Sequence, residues 1–221
     1  MSRLNPTIVP LGDSAVLLRF GTELNDDANQ RAICVADELS AHPPIGALEI
    51  TPNLISVLVR YDAAKVGFDE ICGELRLSLA APLERDFAPT RKKWKIGVSY
   101  GGVDGPDLLE LAATLNVTSQ KFIDLHAETG LRVLATGFAP GFVYCGFHHD
   151  LPAVPRRKHV RRQVSAGSIL FAAGQTAITA TSVPTGWHVI GRTNFCNFDV
   201  DQAHPTQLNA GDGIAFYEAA L

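Results

Sequence analysis

From Leu131 onward the chain reads as a series of short β-rich runs: RVLATG, FVYCGF, SILFAA, TAITATSV, WHVIGR and GIAFYEA. Glycine and proline punctuate them. A run this short cannot bury a face on its own. A series of such runs, with turn residues between them, predicts a closed or nearly closed β-barrel.

Residues ahead of this stretch follow a different grammar. TIVPLGDSAVLLRFG predicts two strands around a Leu11-Gly12-Asp13 turn. NDDANQRAICVADELSAH spaces Ala28, Ala32, Ile33, Ala36 and Leu39 on one helical face, with acids in its first turn. ALEITP and LISVLVRYD predict strands, and FDEICGELRLSLA a second amphipathic helix. The order ββαββα predicts an antiparallel sheet backed by two helices. PLERDFAPTRKKW, Pro82 to Trp94, lacks periodicity and mixes prolines with both charge signs. The expected organisation is therefore an α+β domain at 1–83, a linker at 84–94 and a mainly-β barrel domain at 95–221. KIGVSY should open the second domain as a strand, followed by helices from Gly105-Pro106-Asp107 and from Thr118-Ser119.

Composition removes several function classes. A net charge of −4 gives no basic field for nucleic acid or an anionic membrane. LAATLNVTSQKFIDL resembles a helix-turn-helix, but between Gly105 and Glu128 the acids Asp107, Glu110, Asp124 and Glu128 outweigh Lys121, so packing on the barrel is expected. MSRLNPTIVPLGD has no apolar export segment and no run reaches the ~18 apolar residues of a membrane span. The expectation is a cytoplasmic protein with Cys34, Cys72, Cys145 and Cys196 reduced, the first two on helices and buried.

Candidate chemistry lies in the second half. GFAPGFVYCGF, Gly137 to Phe147, contains Ala139-Pro140-Gly141-Phe142, a type II turn signal with proline preset and glycine free for positive φ. Phe138, Phe142, Tyr144 and Phe147 supply rigid rings, which suit either a barrel-filling hairpin or a pocket wall and docking face. PRRKHVRR places Arg156, Arg157, Lys158, Arg161 and Arg162 together. It reads either as a solvated loop or as an anion clamp beside the small-residue turns VSAGS and AAGQT. His126, late on its helix, is either a dipole-favoured terminal residue or a polar group turned into the site. His148-His149-Asp150 reads as a solvated loop and not a metal site. No Walker A loop is present.

In order along the chain, YGGVDGPDLLELA, GFAPGFVYCGF, Pro155-Arg156-Arg157, AGS at 166–168, GQT at 174–176, GWHVIGRT at 186–193 and AGDGIAFY closely resemble one family. It is the family of the 5-oxoprolinase B subunit, the KipI kinase inhibitor and allophanate hydrolase subunit 1, of carboxyltransferase subdomain C/D type. The resemblance implies a cyclophilin-like barrel and an obligate partner, the C subunit of the same complex. It implies a component, inactive alone, of an ATP-hydrolysing 5-oxoprolinase, with ATP and Mg shared with that partner. The lactam carbonyl of the small-molecule substrate would be activated, and the A subunit would open the ring to glutamate. The alternatives are a histidine-kinase inhibitor and a urea-type carboxyltransferase or allophanate hydrolase component. The expected catalytic residues are His126, Tyr144 and Gln175. The expected substrate- and anion-binding residues are Phe138, Pro140, Gly141, Arg156, Arg161, Thr176 and Arg192, with no metal ligand. Tyr144-Cys145-Gly146-Phe147, Ile178-Thr179-Ala180 and Pro184-Thr185-Gly186 depart from the usual pattern of the family and would reshape the pocket rim.

Overall fold

A computed structural model describes residues 6–80 and 91–220, and the chain divides into two units, Met1–Thr90 and Arg91–Leu221. In the first unit, β1 (Thr7–Pro10) and β2 (Ala15–Arg19) form a hairpin through the predicted turn. β3 (Ala47–Pro52) and β4 (Ser56–Tyr61) complete an antiparallel sheet of order β1-β2-β4-β3. Helices α1 (Asp26–Ala41) and α2 (Phe68–Ala80) carry the predicted apolar stripes. Asn25 caps α1 by accepting from the Ala28 N–H at 2.9 Å, and Asp26 and Asp27 complement the helix dipole. Ala32, Val35, Ala36 and Leu39 of α1, Ile71 and Leu75 of α2, and Val16, Leu18, Val57 and Val59 of the strands form one core.

The second unit is built on a closed seven-stranded barrel of order β10-β7-β6-β13-β5-β12-β9. Its strands are β5 (Lys93–Tyr100), β6 (Leu131–Thr136), β7 (Val143–Gly146), β9 (Ser168–Ala172), β10 (Gln175–Ile178), β12 (His188–Arg192) and β13 (Gly213–Glu218). β13 runs parallel to β5 and the other pairs are antiparallel, so the barrel is mixed. Period-2 alternation gives the wall two faces. Val143, Cys145, Ile169, Phe171, Ile178 and Ile190 belong to the interior core. Their neighbours Phe142, Leu170, Ala172, Ala177 and Val189 belong to a separate outer cluster. Helices α3 (Leu108–Thr114) and α4 (Ser119–Glu128) add Leu108, Leu111, Phe122 and Ile123 to the interior core.

Two local expectations are corrected. Lys93 and Trp94, placed in the linker by their sequence, are the first residues of β5, paired with Gly213 and Ile214. Trp94 is drawn into the strand because its indole N–H donates to buried Asp212 at 3.0 Å. Residues 84–90 of that linker lie outside the described residues. The second correction concerns PRRKHVRR, which is only partly loop. Arg161 opens a strand, β8 (Arg161–Val164), paired with β11 (Val183–Thr185) in a small sheet of its own. Cys72 and Cys145 are buried, Cys34 is half-buried and Cys196 is exposed, all as free thiols. Among the described residues no helix is long and apolar enough to cross a membrane.

Candidate functional site

The Gly137–Phe147 stretch forms the predicted turn. The Phe142 N–H donates to the Ala139 carbonyl at 3.0 Å, with Gly141 at φ +68° between them. A Cβ on Gly141 would lie 2.6 Å from the Cβ atoms of both Ala180 and Phe198. Asn197, itself buried, donates to the Gly141 carbonyl at 2.9 Å, which ties the turn to the 195–208 segment. Glycine is needed here for both conformation and space.

This turn launches a row of rings along the outer face of the barrel. Centroids are 5.2 Å apart for Phe138 and Phe142, 4.9 Å for Phe142 and Tyr144, and 6.0 Å for Tyr144 and Trp187. The Arg156 guanidinium caps the row, 5.9 Å from the Trp187 ring centroid. Phe138 is 68% exposed despite its size. Burial raises the Tyr144 pKa and the nearby Arg156 opposes that shift, so the phenol stays a neutral donor.

The arginine cluster divides by task. Arg157 and Arg161 both donate to Asp107, which is buried and also accepts the Val189 N–H at 2.8 Å. The hydrogen bond to Asp107 is the main cause of a raised Arg161 pKa. These two arginines fasten the 155–161 segment to α3 and β12. Asp107 makes no side-chain cap bond to its own helix. Arg156, in contrast, has no carboxylate partner among the described residues. Arg192 is exposed at the end of β12 opposite Ser168, and no contact among the described residues joins it to Arg156.

A second polar constellation occupies the barrel interior. Thr118 caps α4, and that helix carries His126 inward until it is fully buried. His126 Nδ1 lies 2.7 Å from the Tyr100 hydroxyl, and its Nε2 lies 2.8 Å from Thr176 Oγ1. His148 Nε2 approaches the same Thr176 oxygen at 2.8 Å. The imidazoles of His126 and His148 stack at 5.1 Å, with Phe216 4.9 Å from His126 and Phe171 5.4 Å from His148. Burial, with a smaller contribution from His148, drives the His126 pKa well below its ordinary value. Burial, helped by His149, pushes His148 down to about 4. Both rings are neutral near pH 7.

The expected catalytic trio is therefore not one constellation. Tyr144 belongs to the outer row, while His126 and Thr176 face the interior. Gln175 follows alternation to the face opposite Thr176, and its Oε1 is buried without a hydrogen-bond partner among the described residues. Pro140 and Gly141 shape the turn beneath Phe138. His126 does not act as a dipole-stabilised cation, because desolvation outweighs the dipole. His148, expected in a solvated loop, is 9% exposed, since its ring fills space beside Phe171 while His149 remains outside. Sequence reasoning misses Tyr100, Trp187 and the inward role of His148. A polar Thr176 at an inward position of an apolar strand is the one available signal. Among the described residues no group of His, Cys, Asp and Glu could hold a metal ion.

The mixed seven-stranded barrel except for β13, together with its Ala139–Phe142 turn, lies within the span matched by a carboxyltransferase-domain family model. The chain belongs to the family described as carboxyltransferase domain, subdomain C and D, whose model matches residues 6–208. It is 34% identical to the 5-oxoprolinase B subunit of Bacillus subtilis, over 95% of this chain and 91% of that protein. The crystal structure of TTHA0988 is similar at a TM-score of 0.81 and 32% identity, covering 93% of this chain. The present chain spans only 40% of the TTHA0988 chain. Kluyveromyces lactis urea carboxylase shares the fold at a TM-score of 0.80 and 17% identity, over 100% of this chain and 22% of that one.

Proposed function

We propose that the chain is the B subunit of an ATP-dependent 5-oxoprolinase, inactive alone, and that it works with the C and A subunits of that complex. The observation that carries this reading is its near end-to-end match to a 5-oxoprolinase B subunit, 95% of one chain against 91% of the other. The fact that TTHA0988 extends well beyond the matched region supports a second module beside this one.

In this reading the outer row is the wall of a cleft shared with the C subunit. The rings of Phe138, Phe142, Tyr144 and Trp187 exclude water, which strengthens every polar contact made inside. Arg156 is the anion donor, because Arg157 and Arg161 are already held by Asp107. Tyr144 offers a neutral hydroxyl to an oxygen of the substrate. His126 and Thr176 would act from the interior as positioning residues, with Gln175 and Arg192 at the margins of the cleft. The phosphates of ATP suit Arg156 as a partial holder. Among the described residues no group of three or more His, Cys, Asp or Glu could hold a metal ion, and in this reading the partner shares in holding magnesium with the phosphates of ATP.

The test is reconstitution. The purified chain is assayed for 5-oxoproline-dependent ATP hydrolysis, alone and with its cognate C and A subunits. Turnover should appear only in the mixture. Robust turnover by the isolated chain, or none in a correctly assembled complex, overturns the reading.

A further inference from the structure

We propose that His148 presents its Nδ1–H as a preset hydrogen-bond donor for the carbonyl oxygen of an amide or lactam, held in that tautomer by the Tyr100–His126–Thr176 chain. The donor lies on the interior side of the wall from Tyr144 and Arg156. It exists whether or not the chain serves a 5-oxoprolinase.

Hydrogen placement decides the tautomers. Three contacts of 2.7 to 2.8 Å link Tyr100, His126, Thr176 and His148 in series. Thr176 has one proton to give and meets two imidazole nitrogens, so one ring donates to it and the other accepts from it. If Tyr100 donates to His126 Nδ1, then His126 Nε2–H donates to Thr176 and the threonine hydroxyl donates to His148 Nε2. His148 must then carry its proton on Nδ1. The reverse order leaves the Tyr100 hydroxyl without an acceptor, since it has no other partner among the described residues. His148 Nδ1 is unmatched in either order, as a donor in the first and as a lone pair in the reverse, so the Tyr100 hydroxyl decides between them. The first order is thus the better satisfied.

In that order one donor remains unmatched. His148 Nδ1 is buried and has no hydrogen-bond partner among the described residues. The ring is 9% exposed where the chain has just left β7 at Gly146, whereas His126 and Thr176 are fully buried. Its surroundings set the ligand class. Phe171 lies against His148, and Phe122 and Phe216 lie against His126. None of these rings can compensate a full negative charge, and burial keeps both histidines neutral. A neutral N–H in such a setting matches a neutral acceptor, and an amide carbonyl oxygen is a strong one.

The test uses the full chain labelled with 15N-histidine and long-range proton–nitrogen NMR. In the free protein His126 should be the Nε2–H tautomer and His148 the Nδ1–H tautomer. Titration with 2-pyrrolidinone or acetamide should shift the His148 Nδ1 resonance saturably, while acetate should not. Thr176→Ser should preserve both tautomers. Thr176→Val should mix the His148 tautomers and weaken 2-pyrrolidinone binding at least tenfold. If Thr176→Val does not fold, Tyr100→Phe replaces it and should change the His126 tautomer balance without contacting His148. A His148 Nε2–H tautomer in the free chain overturns the assignment. So does an Nδ1 signal unmoved by both amides, which would leave the donor to water, or one moved equally by acetate. A complex without 5-oxoproline turnover whose His148 responds as stated leaves the donor standing. Turnover combined with an unresponsive His148 removes the donor and keeps the 5-oxoprolinase reading.

Discussion

Tyr144 and His126 lie on opposite sides of one barrel wall. Tyr144 pairs with Ala177 of β10 and its ring joins the outer cluster, while Thr176, the neighbour of Ala177 on β10, turns inward to bond His126 at 2.8 Å. The two residues therefore predict different phenotypes. Tyr144→Phe removes only a hydroxyl from a half-buried ring, so stability should stay within ~0.5 kcal/mol of wild type. Activity of the assembled complex should fall about tenfold, in line with one lost hydrogen bond to the reacting ligand. Unfolding curves and turnover measured on the same preparation check this. Full activity would reduce the outer row to packing.

Arg156 and Arg161 separate in the same way. Arg156→Ala should leave the unfolding midpoint almost unchanged and weaken anion binding to the complex by ~1.5–3 kcal/mol, the value of a charged hydrogen bond. Asp107→Ala should instead destabilise the chain by roughly 3 kcal/mol, since it strips the acceptor from two guanidiniums and from the Val189 N–H. Calorimetry and urea unfolding discriminate the two. Equal stability losses in both variants would make Arg156 structural as well.

How far the sequence can be read follows from which signals are local. Gly141 announces itself, because Ala-Pro-Gly-Phe demands a particular turn within four residues. The apolar stripe of α1 and the alternation of β4 are legible for the same reason. Asp107 is not: Gly-Pro-Asp before a helix looks like a cap, and its true partners lie 50 and 54 residues away. His148 likewise meets Thr176 across 28 residues of chain. Strand register brings them together, and no periodicity in one sequence states a register. Tyr144 and Thr176 look like one site in the sequence because their motifs fall on paired strands, although the pleat sends their side chains to opposite faces.

Gly141→Val should be the most damaging change in the signature stretch. The residue holds φ +68°, where a β-branched side chain is an outlier, and the new Cβ would meet Ala180 and Phe198 at 2.6 Å. Backbone strain and overpacking are each worth about 1–3 kcal/mol, so a loss of roughly 3 kcal/mol or more is expected. Chemical denaturation measures it directly. A variant within about 1 kcal/mol of wild type would mean that the turn yields and does not position the row.

The buried histidines also set the acid limit of the fold. In the unfolded chain both titrate near pH 6.5, whereas burial depresses His148 to about 4 in the folded state and drives His126 well below its ordinary value. Below pH 6.5 the unfolded state therefore binds more protons than the folded state, and stability must fall as pH falls. Between the unfolded and folded values His148 contributes up to about 1.4 kcal/mol per pH unit. For His148 the loss accumulates to roughly 3 kcal/mol by the time pH reaches its folded pKa, and it is absent above pH 7. Urea unfolding at pH 7.5, 6, 5 and 4.5 should show this decline. His148→Gln should flatten it between pH 6 and 4.5, leaving the His126 share. An unchanged slope in that variant would mean that His148 is protonated in the folded protein and that the interior network is not neutral.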